Sequence, residues 1–321
     1  MNVSAFAGLS MPRVRRGGPV KARPATLTSA MPVTHAFRAV MASGLAHLLA
    51  NERGLLRDVD PEYLHQARVA LRRLRSALDV FSPPLPEHVT APAARELKWL
   101  ASRLGPARDW DVFISETLPP VYVEFGAHRG LKVFSARCKQ LRRSAGARAR
   151  RAARSPHYRR LKHTLSTWIA SENWLSPIHG AAGVAMQGAI ANHARDVLER
   201  RYRRVRKLGR RLDERSNAEL HRLRIAVKNF RYAADFYSGL YAAEPVREAL
   251  RRLSRLQDVL GAINDAATAA DLVEKGCSGT RGRNMIETRG ILLGWNRGRA
   301  ATLKGNLASA WKAFRDADKF W

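Results

Sequence analysis

The hydrophobic residues of this chain recur every three or four positions over most of its length, which is the period of an amphipathic α-helix. From residue 31 onward, few stretches show the alternation of β-branched residues that marks a strand. The pattern therefore predicts an all-α protein. Its predicted helices lie at 33–50, 61–81, 92–104, 109–116, a long pair within 128–172, 187–213, 217–238, 244–260, 264–275 and 300–318.

Proline and glycine mark the predicted boundaries between these helices. The proline-rich segments 82–87 and 118–120 are predicted breaks, because proline lacks an amide donor and clashes inside a helix. Two Leu-Gly pairs are predicted to be turns between helices, with Gly105 and Gly261 as C-terminal caps in the left-handed region. Asp109 and Asp265, four residues further on in each case, would then cap the next helix.

The chain contains an internal repeat. One offset of 156 residues aligns 62–81 (EYLHQARVALRRLRSALDVF) with 218–237 (AELHRLRIAVKNFRYAADFY), and 97–112 with 253–268, both without gaps. Two motifs that share one offset indicate duplicated halves, which we expect to be related by a pseudo-two-fold axis. A repeat of this length is too long for a solenoid.

Each repeated helix carries a line of cations beside its apolar stripe. Because each helical residue advances about 100°, the four side chains of each line fall within an arc of about 80°. We call them the first ridge and the second ridge, made of His65, Arg68, Arg72 and Arg75, and of His221, Arg224, Lys228 and Arg231. The alternative is that their stems cover the core while their charges pair with carboxylates on neighbouring helices. Since the arrangement recurs, we favour ridges that bind a ligand.

The net charge of the chain bears on the choice between these two interpretations of the ridges. The chain has 57 Lys and Arg residues against 27 Asp and Glu residues, a formal charge of +30, so there are too few carboxylates for every cation. Such a surplus opposes compaction unless an anion occupies the surface, and it predicts a polyanionic partner. Residues 125–171 contain no acid, and 200–212 is similarly basic, although a charge run is usually a solvated face. A secondary basic surface is predicted at Arg73, Arg203, Arg206 and Arg210.

The remaining chemistry is sparse. Cys138 and Cys277 have no zinc-ligand spacing and indicate no disulfide framework, which favours a reducing, cytoplasmic compartment. Asp109 and Asp111 have no further acidic cluster with which to hold a metal, and the sequence lacks phosphate-loop, dinucleotide, HExxH and Gly-x-Ser-x-Gly motifs. We therefore predict no catalytic residue, metal or cofactor.

No window approaches 18 consecutive apolar residues, so no membrane span is predicted. Residues 1–30 are predicted to be a disordered basic extension.

Four motifs together resemble the CHAD family, the conserved histidine α-helical domain. They are DPEYLHQARVALRRLRSALDVF, LGPARDWDVF, ELHRLRIAVKNFRYAADFY and LQDVLGAINDA, in that order. The resemblance covers residues 31–318, and it implies two pseudo-symmetric four-helix-bundle halves, at about 31–185 and 186–321, around a basic central cleft. It also implies binding of inorganic polyphosphate by the eight ridge residues, often on polyphosphate granules. Members often have a second basic residue where this chain has Asn229, which weakens the second ridge.

The expected function is therefore non-enzymatic polyphosphate binding by a stand-alone CHAD protein, cytoplasmic and associated with granules. The two ridge histidines are expected to join the anion site as cations, because a phosphate raises the pKa of an imidazole. One alternative is a basic protein associated with nucleic acid, although the ridges have no interleaved aromatics for stacking bases apart from Tyr232. A second is an enzyme of polyphosphate metabolism. Chain-length preference and oligomeric state stay open.

Overall fold

The computed structural model describes residues 18–57, 60–82, 85–171, 178, 180–210, 212, 216–280 and 282–321. Apart from one isolated bridge between Pro32 and Ala189, these residues form no β-structure, and the predicted all-α class is confirmed. Their α-helices are α1 (Val33–Arg57), α2 (Pro61–Phe81), α3 (Glu87–Val112), α4 (Leu118–Phe125), α5 (Arg129–Arg154), α6 (Pro156–Ala170), α7 (Gly180–Gln187), α8 (Ile190–Leu208), α9 (Asn217–Tyr237), α10 (Ala243–Cys277), α11 (Arg283–Gly305) and α12 (Leu307–Arg315).

The two ridge helices, α2 and α9, begin at strong local signals. Asp60 accepts a hydrogen bond from the Glu62 amide at 2.8 Å, and Pro61 occupies the first helical turn of α2. At α9, Ser216 and Glu219 form a reciprocal capping box. Both helices have 21 residues, and their first and last residues are separated by the offset of the sequence repeat.

The helices pack in the same order in each half of the chain. In the first half α1 packs on α2, α2 on α3 and α3 on α5; in the second, α8 packs on α9, α9 on α10 and α10 on α11. One hydrophobic core runs through both halves and includes Leu71 and Leu74 of α2 with Val227 and Phe230 of α9. Because α2 and α9 also contact each other, the two ridge helices meet where the halves join.

The predicted Leu-Gly turns are wrong. Gly105 lies within α3 and Gly261 within α10, and among the described residues only Gly18, Gly180 and Gly279 have positive φ. Asp109 and Asp265 consequently lie inside helices and do not cap them. In α3 the buried stripe continues through the predicted turn at Leu104, Ala107 and Trp110, and this packing outweighs the low helix propensity of glycine.

Of the two predicted proline breaks, one is confirmed. Helix α2 ends at Phe81, just before segment 82–87, and α3 begins at Glu87, the last residue of that segment. The break at 118–120 is wrong, because a π-helical turn, Phe113–Thr117, leads directly into α4. Pro119 and Pro120 lie in the first turn of α4, where an amide donor is not required.

Part of the predicted N-terminal extension is ordered against α1. Residues 1–17 lie outside the described residues, but the Val20 amide donates to Asn51 Oδ1 at 3.0 Å. Asn51 Nδ2 donates in return to the Val20 carbonyl at 2.9 Å, and Leu27 is buried in the core. For residues 18–30 the prediction of disorder is therefore wrong. Within the described part of the chain, no helix combines the length and apolar character needed to cross a membrane.

Candidate anion-binding cleft

Helices α2, α3 and α9 enclose an open cleft that offers about 650 Å³ to water-sized molecules. We call it the central cleft. Its apolar floor includes Leu78 and Ile225, and two acids, Asp79 and Glu87, lie near the ends of α2 and α3 that meet there. The cations that line it are Arg72, Arg75, Arg95, Lys98 and Lys228.

The charges of the central cleft are not balanced. Asp79 already pairs with Arg201, with 2.9 Å between Nη2 and Oδ2. Within the described residues, none of the five cleft cations forms an ion pair with a carboxylate. Five unpaired cations beside low-dielectric walls create a positive potential, and an anionic ligand would relieve their mutual repulsion.

Residues of both ridges line the central cleft. Arg72 Nε donates a hydrogen bond to the Tyr232 hydroxyl at 3.2 Å, which joins α2 to α9. The pKa of Lys228 is lowered to about 8, first by burial and then by the positive charges of Arg224, Arg72 and Arg75. Two of those three arginines belong to the first ridge. The pKa of Lys228, in the second ridge, therefore depends on the charges of both ridges.

The N-terminal part of the first ridge turns towards α3. Burial lowers the pKa of Arg68, the nearby Asp109 carboxylate opposes that effect, and Arg72 and Arg108 add to it. Arg68 Nε is buried without a hydrogen-bond partner. A Cβ at Gly105 would lie 3.1 Å from Arg68 Nη1, so this glycine makes room for the guanidinium group beside α3. Arg68 is thus held beside α3 with an unpartnered Nε donor.

His65 lies in the same positive environment. Its pKa is lowered by burial first and then by the charge of Arg108, with smaller effects of Arg72 and Arg68, while Glu62 raises it. The imidazole is therefore less readily protonated in the ligand-free protein than an ordinary histidine. The prediction that it acts as a cation consequently depends on an anion to reverse this shift.

The pKa of Asp109 responds to charges from both halves of the chain. Burial raises its pKa, and the charges of Arg68 and Lys275 lower it. The negative charge of Asp265, its counterpart in the repeat, raises it again. Among the described residues, no group of three or more His, Cys, Asp or Glu side chains could hold a metal ion.

Parts of the second ridge face α10. The Nδ1 atom of His221 lies 3.0 Å from Asn264 Oδ1, and Arg231 Nη1 donates to Ser254 Oγ at 3.2 Å. Neither residue lines the central cleft, nor do His65, Arg68 and Arg224. Of the eight predicted ridge residues, the structure therefore brings three into the lining, and they are Arg72, Arg75 and Lys228.

The four residues of the predicted secondary surface lie apart from the central cleft. The guanidinium carbon of Arg73 lies 5.2 Å from the centroid of the Phe236 ring. On α8, Arg203 pairs with Glu199 at 2.7 Å, and Arg206 Nη1 donates to the Tyr202 hydroxyl at 2.9 Å. Arg210 is exposed just beyond α8. None of the four contributes to the cleft lining.

Sequence reasoning missed three residues of this site. Arg95 and Lys98 of α3 line the cleft, and Tyr232 holds Arg72 by its hydroxyl group. The spacing of Arg95 and Lys98 places them on one side of a helix, and this was the available signal. The repeat did not reveal Lys98, because the equivalent position in α10 is Ser254.

Comparisons with known proteins agree with this architecture. The family model of the CHAD domain matches residues 39–274. The crystal structure of the CHAD domain from the plant Ricinus communis is similar to this chain, with a TM-score of 0.80 and 28% identity over 95% of this chain and 99% of that chain. PptA from Streptomyces chartreusis is similar in fold, with a TM-score of 0.69 and 17% identity over 88% of this chain and 100% of that chain. No curated protein matches the sequence.

Proposed function

Because the chain belongs to the CHAD domain family, we propose that it binds inorganic polyphosphate in the central cleft without catalysing its reaction. The observation that carries the proposal is the convergence of Arg72, Arg75 and Lys228, from two helices of different halves, without a paired carboxylate in the described residues. A chain of phosphates needs closely spaced cations and no base recognition. Arginine binds phosphate oxygens through two parallel hydrogen bonds, which suits this ligand.

The aromatic residues near the ridges favour a ligand without bases. Proteins that hold single-stranded nucleic acids commonly stack bases on free aromatic rings. The ring of Tyr232 packs against Phe236 at a centroid distance of 6.3 Å, and its hydroxyl group accepts the hydrogen bond from Arg72. The one aromatic side chain interleaved with the ridges is thus used to position a cation.

The side chains of the cleft also support binding over catalysis. Enzymes that transfer phosphoryl groups hold divalent cations with acidic side chains and position a nucleophile in line with the leaving group. Asp79 of the cleft is engaged by Arg201, and Glu87 lies in the first turn of α3. Incubation with polyphosphate and Mg²⁺ should therefore leave the chain length of the polymer unchanged on a gel, and shortening of the polymer would contradict the non-enzymatic part of the proposal.

A charge-reversal variant tests the site. Arg72→Glu together with Lys228→Glu should abolish binding of polyphosphate at physiological salt, because two cations are replaced by two anions in the middle of the cleft. The control, Arg297→Glu with Arg299→Glu, makes the same change of charge at exposed positions of α11 and should retain most of the affinity. Circular dichroism of both variants checks that the helices persist. Equal loss of binding in both variants would mean that net charge, and not the cleft, holds the polymer.

A competition experiment separates polyphosphate from nucleic acid. Labelled long-chain polyphosphate bound to the protein is challenged with single-stranded and double-stranded nucleic acid at equal phosphate concentration. We expect nucleic acid to displace it poorly, because duplex phosphates are held in a rigid geometry and none of the described residues that line the cleft is aromatic. Displacement at comparable phosphate concentration would favour the nucleic-acid alternative.

In cells, the proposal places the protein in the cytoplasm on polyphosphate granules. A fluorescently tagged copy should form foci in cells that make polyphosphate and become diffuse when synthesis is blocked. The variant with both Arg72→Glu and Lys228→Glu should be diffuse in either case. Foci that persist without polyphosphate would contradict granule association.

A further inference from the structure

Helix α5 carries a second line of cations. Eight of its positions recur every three or four residues along one side of the helix, and six of the eight are basic while two are alanine. At about 100° per residue these positions fall within an arc of about 80°. We call the six basic residues the α5 stripe, which consists of Arg129, Lys132, Lys139, Arg143, Arg150 and Arg154.

Packing turns this stripe towards solvent. The opposite side of α5 is buried through Leu131, Phe134, Cys138 and Ala149, which fixes the rotation of the helix about its axis. All members of the stripe are exposed except Arg150, which is half-buried. With about 1.5 Å of rise per residue, the stripe extends roughly 37 Å along the surface.

The protein supplies few counter-charges to the stripe. Helix α5 itself has no acidic residue. Its ion pair with Asp111 uses Arg142, which lies outside the stripe. Among the residues the structure describes, no carboxylate forms an ion pair with Lys132, Lys139 or Arg143. By contrast, the arginines of α10 at 247, 251 and 252 each pair with a glutamate three or four positions away.

The stripe is separate from the central cleft. The cleft is lined by residues of α2, α3 and α9 and by none of α5. Helix α5 packs against α3, which lines the cleft, and also against α1, α6, α10 and α11. A ligand in the cleft therefore leaves the charges of Lys132, Lys139 and Arg143 without a partner.

We propose that the α5 stripe is a second binding track for polyphosphate, so that one protein molecule holds two segments of polymer at once. The inference rests on the proposed function of the central cleft. Two observations favour polyphosphate over nucleic acid. The cations Lys132, Lys139 and Arg143 share this side of the helix with the small side chains of Ala136 and Ala147, and the side contains no aromatic residue for stacking bases. A protein with two tracks would join separate chains, whereas one with the cleft alone would only coat them.

The test measures whether the protein brings two chains together. Short polyphosphate, no longer than the central cleft, is labelled with a donor dye in one pool and an acceptor dye in another. Protein shown to be monomeric by light scattering is mixed with both pools, and energy transfer is recorded alongside total binding. The stripe variant is Lys132→Glu, Lys139→Glu and Arg143→Glu, with Lys132→Gln, Lys139→Gln and Arg143→Gln as a milder form.

We expect energy transfer with the wild-type protein and its loss in both stripe variants, each of which still binds one chain in the cleft. The control variant, Arg297→Glu, Arg299→Glu and Lys312→Glu, makes the same charge change at exposed positions of α11 and α12 and should retain the transfer. For long polyphosphate, loss of three cations should lower the slope of log affinity against log salt by about 2, at about 0.7 for each phosphate contact of a single strand.

Two outcomes would overturn the inference while the cleft proposal stands. One is wild-type protein that binds a single short chain without energy transfer, and the other is a stripe variant that keeps the full transfer. A stripe variant that loses affinity for nucleic acid but not energy transfer would assign the stripe to nucleic acid and would also overturn it. Wild-type protein that binds no polyphosphate would refute the proposed function itself.

Discussion

We predict that Lys228 makes the proposed binding of polyphosphate dependent on pH, in a range where the polymer itself does not titrate. In the ligand-free protein its pKa is lowered to about 8, because the ammonium group is largely buried and lies near Arg224, Arg72 and Arg75. A bound phosphate chain would supply negative charge beside the ammonium group and raise this pKa. Binding above pH 8 is therefore coupled to uptake of one proton.

The size of the effect follows from the fraction of Lys228 that is protonated before binding. With a pKa of about 8, that fraction falls from about three quarters at pH 7.5 to a few per cent at pH 9.5, so affinity should fall about twentyfold, or ~1.8 kcal/mol. Lys228→Arg keeps its proton throughout and should show a nearly flat profile. Lys98→Arg, a substitution of the same type in the same cleft, should keep the wild-type profile.

The assay is isothermal titration of polyphosphate into each protein between pH 6.5 and 9.5, in buffers of different ionisation enthalpy so that proton uptake is measured directly. The pH dependence of folding stability gives an independent check of the direction of the Lys228 pKa shift. Because the pKa of Lys228 is lower in the folded protein, the unfolded chain binds more protons between about pH 8 and the ordinary lysine pKa of about 10.4. The contribution of this residue to stability therefore increases with pH across that window. If the affinity for polyphosphate changed equally with pH in the wild type and in Lys228→Arg, the reasoning would be refuted.

Three further predictions follow from contacts around the ridges. The pKa of His65, lowered by burial and by Arg108, should rise when polyphosphate binds, as measured by NMR titration of the imidazole; an unchanged pKa would remove His65 from the site. Tyr232→Phe removes the acceptor of the Arg72 hydrogen bond and should lower the free energy of unfolding by about 0.5–1.5 kcal/mol. It should also weaken polyphosphate binding in a titration, and unaltered affinity would show that Arg72 needs no such support. Asn51→Ala leaves the Val20 amide without a partner, while the Val20 carbonyl keeps His47 Nε2 at 3.0 Å. It should lower the free energy of unfolding by about 1–3 kcal/mol in a denaturant titration, whereas Ser43→Ala, which removes a single exposed hydrogen bond, should cost less.

The ridge helices were predictable because their signals are local. The predicted bounds 61–81 match α2, and 217–238 differs from α9 by one residue, since both helices combine a clear apolar period with a capping residue at the N-terminus. By contrast, α11 was missed over most of its length. Its glycines at 290, 294 and 298 weaken the helical pattern, and the helix is stabilised by packing on α10.

The composition of the site depends on contacts that are distant in sequence. The charge pattern predicted Arg72, Arg75 and Lys228, and these residues share the cleft because α2 packs against α9. The repeat also implied equal roles for Arg75 and Arg231. However, Arg231 is held by Ser254 of α10, whereas Arg75 is exposed in the cleft. A duplicated sequence therefore does not guarantee two equivalent sites, because the neighbouring helix in each half differs in its polar residues.

The position of the cleft between α2 and α9 has a consequence for biosynthesis. The two ridge helices begin 156 residues apart, which takes a ribosome roughly 8–30 s to translate at about 5–20 residues per second. A nascent chain that has completed only its first half carries Arg72 and Arg75 but not Lys228 or Tyr232. The proposed binding of polymer in the cleft therefore requires that synthesis has passed α9 and that the two halves have docked. An unfinished chain would carry the α5 stripe but only the α2 and α3 walls of the cleft, so the two proposed tracks would become available at different stages of synthesis.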